Sequence, residues 1–137
     1  MAPSSLHLEL HNQPDATTAL RSAVDRIADA CGLSSGDRFD LKVAATEAVT
    51  NALTGSPSTD AVEVSLTGRS EAVEVEVTNR GTFKPFSTRE TGAEGGRGIP
   101  LMLALVDEVE FAASGDGTRV RMRKRVGRAG EEAEPPL

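Results

Sequence analysis

Cysteine, long apolar runs and positive charge are all scarce in this sequence of 137 residues. The single cysteine, Cys31, excludes an internal disulfide and is typical of a protein from a reducing compartment. No apolar run is long enough to span a bilayer, and the first residues, MAPSSLHLELH, lack the basic-then-apolar plan of a signal peptide. We therefore expect a cytoplasmic protein without a membrane segment.

Acidic residues outnumber basic ones, with 21 Asp and Glu against 15 Lys and Arg, and the net charge is −6. Binding to a phosphate backbone requires a basic surface, so we expect no direct contact with nucleic acid. The length corresponds to one domain, which we place at residues 1–126. Residues 127–137, GRAGEEAEPPL, are predicted to form a disordered acidic tail.

Several catalytic signatures are also missing from the sequence. It contains no P-loop pattern, no nucleophile–histidine pair and no cluster of thiolates. Hydrolase triads and structural zinc sites are therefore unsupported.

Hydrophobic periodicity predicts strands that come in hairpins and helices that cover one side of them. The predicted elements are a strand at 5–11, helices at 14–31 and from the turn at 34–37 to about 55, strands around 62–67 and 73–77, a helix at 98–109, and strands at 110–113 and 118–126. This order favours an α+β fold. We expect a two-layer α/β sandwich, in which about three helices cover one face of a mixed, mostly antiparallel sheet.

The helix over 41–53, LKVAATEAVTNAL, carries two polar groups inside an otherwise apolar stretch. Glu47 and Asn51 are four residues apart, so they lie on one face of the helix, about a turn from each other. Burying such groups without partners is costly, roughly 2 kcal/mol or more for the amide alone. The pair therefore predicts a partner, which could be a protein group, a water molecule or a metal ion.

Two further stretches have the composition of a ligand site. Thr78-Asn79-Arg80-Gly81 ends a valine-rich strand, and GAEGGRG at 92–98 immediately precedes a helix. Glycines let backbone N–H groups approach a ligand closely, and a helix amino terminus favours negative charge. Arg97 adds a bidentate phosphate donor. By itself the glycine run is equally compatible with a turn, but the unpatterned segment 80–97 has the length of a functional lid or binding loop.

Taken in order, EAVTNAL, VTNRG, GGRGIPLMLALVDEVEF and GTRVRMRKRV resemble the motifs of the GHKL (Bergerat-fold) ATP-binding domain. Within that superfamily the chain is most similar to the small bacterial anti-sigma factor serine kinases. The resemblance covers about residues 5–126. It implies the histidine kinase-like ATPase fold, with ATP and Mg²⁺ as cofactors.

The resemblance also implies roles for individual residues at the phosphate end of the site. Asn51 matches the asparagine that binds Mg²⁺, and Glu47 matches the acid taken as the general base. Gly96, Arg97 and Gly98 match the glycine motif that wraps the phosphates beneath the lid.

At the adenine end, Asn79 and Gly81 match a motif in which relatives usually have aspartate on the adenine amino group. Thr118 matches a threonine that helps to hold the same end. On the first helix, Arg21 falls where the family uses an arginine to contact its protein partners. From the pattern alone, Arg21, Asp25 and Asp29 are more typical of an ion-paired solvent face.

The function implied by the resemblance is an anti-sigma factor that sequesters a sigma factor and phosphorylates a serine of an anti-anti-sigma (STAS) partner, with a possible homodimer. The alternative is a non-catalytic partner-binding module that has lost ATP binding, because Asn79 replaces the usual aspartate and cannot make a charge-assisted bond. A detached histidine-kinase ATPase domain is disfavoured, since nothing resembles a dimerisation helix with a phosphoacceptor histidine.

Overall fold

The computed structural model describes residues 4–55, 61–80, 98–114 and 117–127. In chain order these residues form β1 (Ser4–Leu10), α1 (Ala16–Cys31), α2 (Ser35–Gly55), β2 (Val62–Gly68), β3 (Ala72–Arg80), α3 (Gly98–Leu105), β4 (Glu108–Ser114) and β5 (Gly117–Arg125). The predicted acidic tail, apart from residue 127, and the predicted lid, apart from residue 80, lie outside the described residues. No helix in the described ranges is both long and apolar enough to cross a membrane.

The five strands form one sheet in the order β1-β2-β3-β5-β4, and every pairing between them is antiparallel. Three helices accompany the sheet in the described part of the chain, and α1 and α2 both pack against β2 and β3. The α+β prediction, with a mostly antiparallel sheet and about three helices, is confirmed.

The core lies between the helices and one face of the sheet. Along β2 the residues Val62, Val64 and Leu66 are fully buried and alternate with half-buried polar residues. On α1, Leu20 and Val24 are fully buried on the stripe that meets the sheet. Each such side chain contributes about 1.5–3 kcal/mol when it leaves water, so this layer supplies the main stabilisation of the domain.

The connection between α1 and α2 uses local capping. Gly32 adopts the left-handed conformation, with φ of 77°, and its N–H bonds the carbonyl of Ala28. At the start of α2, the N–H of Asp37 donates to the Oγ of Ser34 at 3.1 Å. These caps let the chain leave one helix and enter the next within a few residues.

The predicted end of α3 at Val109 is wrong, because the helix ends at Leu105. Lys124 donates to the carbonyl of Leu105 at 2.8 Å, and the N–H of Asp107 donates to the carbonyl of Arg123 at 2.9 Å. Val109 then lies opposite Met122 in the β4–β5 pairing. The residues after Leu105 therefore gain a strand partner that the local helical pattern could not reveal.

Gly68, the last residue of β2, lies against the end of α1. A Cβ atom added there would collide with the Sγ of Cys31 and lie 3.1 Å from the Cγ2 of Ile27. Burial raises the pKa of the Cys31 thiol, so the sulfur stays protonated and packs as a small apolar group. The absence of a side chain at Gly68 therefore allows α1 to approach the sheet closely.

We predict that Gly68→Ala lowers the free energy of unfolding by about 1–3 kcal/mol, because the new methyl group overpacks this contact. Urea denaturation of the variant beside wild type would measure the loss. Gly36→Ala is the matched control, since a Cβ there meets nothing within 4 Å. It should be neutral or stabilise by about 0.4–1 kcal/mol. Full stability in Gly68→Ala, or no recovery when Cys31→Ala is added, would contradict the packing argument.

Candidate functional site

The helix α2 places Glu47 and Asn51 beside its buried stripe. Both side chains are half-buried, whereas Ala48 and Val49 between them are buried. Neither side chain hydrogen-bonds or ion-pairs with another residue of the described ranges. Two polar groups at the rim of the core, one turn apart, are thus available to a ligand.

A second polar pair lies at one end of the sheet. Asn79 is 1% exposed and Thr118 is 5% exposed, and they are the buried polar residues of the described chain. They lie directly opposite each other in the β3–β5 pairing, two residues beyond Val77 and two before Val120. The structure therefore brings together two residues that the sequence predicts for the adenine end of a site.

The hydroxyl of Thr118 is buried and has no hydrogen-bond partner among the described residues. Leaving a buried hydroxyl without a bond costs about 1–3 kcal/mol on protein scales. Because buried polar groups in folded proteins are usually hydrogen-bonded, this hydroxyl is expected to bind a ligand or a water molecule. Its position, on the helix-covered face and next to Asn79, makes this end of the sheet a candidate binding site.

The packing of the helices sets the relation between the two pairs. The helix α2 packs against β3 and β5, which carry Asn79 and Thr118, and also against α3. The first residue of α3 is Gly98, so this predicted phosphate-binding residue begins a helix that contacts α2. The other glycine-motif predictions, Gly81, Gly96 and Arg97, lie outside the described residues.

On its outer side, α2 forms a cavity with α1. The cavity has a volume of about 230 Å³ and is lined by Arg21, Phe39, Lys42, Val43, Thr46 and Glu47. It therefore joins Glu47, the predicted base, to Arg21, the predicted partner contact. Arg21 lies on α1 and Glu47 lies on α2, and the packing of the two helices brings both residues to one cavity.

Phe39 is one of the cavity residues that the sequence did not predict as functional. Its side chain is 63% exposed, although phenylalanine is apolar. The chain contains only four phenylalanines. A signal was present, because Phe39 falls outside the helical stripe formed by Leu41, Ala44 and Ala48. A single exposed aromatic ring is common on protein surfaces, so the interest of Phe39 comes from its place in the cavity beside Arg21 and Glu47.

Ion pairs hold α1 and α2 together beside the cavity. Arg38 pairs with Asp25 and Asp29, and the Nζ of Lys42 lies 3.0 Å from the Oδ1 of Asp25. The hydrogen bond to Asp29 raises the pKa of Arg38. The predicted ion-paired face on α1 is thus correct for its two carboxylates, but their partners are on α2. Arg21 makes no ion pair within the described part of the chain, so its guanidinium remains available.

Comparison with known proteins agrees with this architecture. The chain is similar to a crystal structure of the RsbU and RsbW domains of Rv1364c from Mycobacterium tuberculosis, with a TM-score of 0.71 and 22% sequence identity. The match covers 91% of this chain and 33% of that one, so this chain spans about a third of that structure's length. No protein with a curated function matches. The family model for the histidine kinase-like ATPase domain matches residues 10–124, and the chain therefore belongs to that family.

Proposed function

We propose that this protein is an ATP-dependent serine kinase of the anti-sigma type, which sequesters a sigma factor and phosphorylates a serine of an anti-anti-sigma partner with a STAS fold. The observation that carries the proposal is the shared cavity of Glu47 and Arg21, with Asn51 one helical turn beyond Glu47. The base, a metal ligand and a partner contact would thus come from one helix pair. The likeness to a chain that contains an RsbW domain accords with the resemblance of the motifs to the anti-sigma kinases.

The buried polar end of the sheet fits the base of a nucleotide. Asn79 offers an amide, which both donates and accepts, and Thr118 offers a hydroxyl that lacks a bond in the described structure. The ring nitrogens and amino group of adenine complement these groups. A hydrogen bond from the ligand to Thr118 would offset the cost of burying its hydroxyl.

The residues on α2 and α3 fit the phosphate end. The amide oxygen of Asn51 would be a ligand of Mg²⁺, which prefers oxygen donors and leaves most positions to water and phosphate. The amino terminus of α3, at Gly98, favours negative charge. We assign Gly81, Gly96 and Arg97 to the same nucleotide site from the motifs that they match.

When bound, ATP with Mg²⁺ supplies the transferable phosphoryl group and neutralises part of its charge. Glu47 would accept the proton from the attacking serine hydroxyl, as a half-buried carboxylate that opens on the α1–α2 cavity. Asn51, on the next turn of the same helix, would bind the Mg²⁺ through its amide oxygen. Arg21 and Phe39 would bind the partner that carries the serine.

The cavity suits a protein partner because it combines an arginine that forms no ion pair within the described ranges with an exposed aromatic ring. Arginine and aromatic side chains are the residue types that most often dominate the binding energy of interfaces. Arg21 would pair with a carboxylate of the partner, and Phe39 would contact an apolar side chain. A sigma factor and a STAS protein that both use this surface would compete for it, which is the basis of partner switching.

A second candidate function is a partner-binding module without catalysis. It is favoured by Asn79, since a neutral hydrogen bond contributes about 1 kcal/mol where a charged one contributes about 1.5–3 kcal/mol. In that case Arg21 and Phe39 would still act, but ATP would not bind. The two functions differ in one measurable property, the affinity for ATP.

We predict that wild type binds ATP in the presence of Mg²⁺ and that Asn79→Asp binds it about tenfold more tightly, since a carboxylate restores the charge-assisted bond. Isothermal titration of both proteins would measure the dissociation constants. Asn12→Asp, a change of the same type at an exposed position, should leave the affinity unaltered. Absence of binding at millimolar ATP in wild type and Asn79→Asp alike would reject the kinase and favour the non-catalytic module.

We predict that Glu47→Gln slows phosphoryl transfer by about 10²–10⁴-fold while ATP still binds, because the amide cannot accept the hydroxyl proton. Transfer of labelled phosphate from ATP to a STAS partner would report the rate. Glu9→Gln, at an exposed position of β1, is the control and should react as wild type does. A Glu47→Gln variant that transfers phosphate at the wild-type rate would show that Glu47 is not the base.

We predict that Arg21→Ala and Phe39→Ala each weaken partner binding by about tenfold, since each removes a central contact of the proposed interface. Surface plasmon resonance with the STAS protein would measure the affinity, and isothermal titration should show unchanged ATP binding. Arg26→Ala removes an exposed arginine from the same helix outside the cavity, so it should bind normally. Equal losses in Arg21→Ala and Arg26→Ala would indicate a general charge effect rather than a site.

A further inference from the structure

Lys124 is a basic residue that turns inward from the sheet. It lies on β5 at the same alternating positions as Val120 and Met122, and its side chain is only 12% exposed. The other basic residues at described pairing positions of β5 face outward, where Arg119 pairs with Glu76 and Arg121 with Glu110. A lysine placed among core positions needs partners, because a buried ammonium without them is costly.

The partners of Lys124 belong to two different helices. Its Nζ donates to the carbonyl of Leu105, the last residue of α3, at 2.8 Å. It also lies 3.7 Å from the Oδ1 of Asp37 and 3.7 Å from the Oδ2 of Asp40, both near the amino terminus of α2. A positive charge at the carboxyl end of α3 also complements the dipole of that helix. One ammonium group thus links the end of α3 to the beginning of α2.

This link concerns the two helices on which the proposed site is built. The helix α2 carries Glu47 and Asn51, and α3 begins at Gly98, where the phosphates would be held. A helix of eight residues, such as α3, is marginal by itself and depends on tertiary contacts. Its Met102 is fully buried, but Leu101 and Leu103 on other sides are exposed, so apolar packing holds only part of it.

We propose that Lys124 is a positioning residue for nucleotide binding, which fixes α3 against α2 and so sets the place of Gly98 relative to Asn51. The inference rests on the proposed function, because it concerns the phosphate end of that site. The polar partners of Lys124 in the described ranges, Leu105, Asp37 and Asp40, are not predicted site residues. Lys124 acts through the helix end that it binds. The adenine end, at Asn79 and Thr118, lies on the strands and does not depend on this link.

The test is Lys124→Met, which keeps an unbranched apolar stem and removes the ammonium. We expect the affinity for ATP with Mg²⁺ to fall about tenfold, whereas the affinity for adenosine changes by less than about twofold, because only the phosphate end is displaced. Isothermal titration with ATP and an NMR titration with adenosine would give the two values. Hydrogen exchange should accelerate at the amides of α3 and stay unchanged in β2 and β3.

Two further variants sharpen the test. Arg121→Met removes a basic residue from the outer face of the same strand and should change neither ligand affinity nor exchange in α3. The double variant Asp37→Asn with Asp40→Asn removes the α2 end of the link but keeps the bond to Leu105. It should show a smaller loss of ATP affinity, and it replaces Lys124→Met as the test if that variant does not fold.

Each remaining outcome overturns the inference in a recognisable way. Wild-type ATP affinity in Lys124→Met, or in the double variant where that one stands in for it, would show that the link does not position the site. Equal losses for ATP and adenosine, with faster exchange throughout the sheet, would show that Lys124 only stabilises the fold. If wild type binds neither ligand, the proposed function itself fails and the inference falls with it.

Discussion

The packing of α2 onto the sheet and between the other helices is the interaction on which the rest of the structure depends. This helix contacts α1, α3 and the strands β2, β3 and β5. Its buried stripe contains Leu41 and the small residues Ala44, Ala45 and Ala48, and the alanines let these neighbours approach closely. The residues of α2 that enter the proposals occupy different parts of this helix: Phe39 and Glu47 lie at the α1 cavity, Asn51 lies one turn later, and Asp37 lies beside Lys124.

The partners of the charged residues differ between the outer face of the sheet and the side that faces the helices. On the outer face of the sheet, arginines of β5 pair with glutamates of β3 and β4 and remain largely exposed, so they contribute little to stability. Towards the helices, two basic residues of the described ranges join different elements. Arg38 joins α2 to α1, and Lys124 joins α2 to α3. These inward charges orient helices, which is why they bear on the site.

Burial of Asn79 and Thr118 is the point where the fold departs from what stability alone would favour. Neighbouring positions of the same face are valines, and two more would complete the apolar layer. The buried hydroxyl of Thr118, which has no partner among the described residues, costs free energy in the absence of a ligand and would contribute recognition in its presence. In a histidine kinase-like ATPase domain, the proposed nucleotide would offset that cost, so ligand binding and folding stability would be linked.

The sequence by itself determined the type and order of the elements, because strand alternation, helical periodicity and the caps at Gly32 and Ser34 are local properties. It also determined the polar positions Glu47 and Asn51, which stand out in an apolar helix, whereas Asn79 and Thr118 were expected from the motifs that they resemble. Only the tertiary structure decided where α3 ends, which residues neutralise Asp25 and Asp29, and that Arg21, Phe39 and Glu47 share a cavity. The physical reason is that each of these features needs a partner from a distant element, and no local pattern specifies which partner arrives.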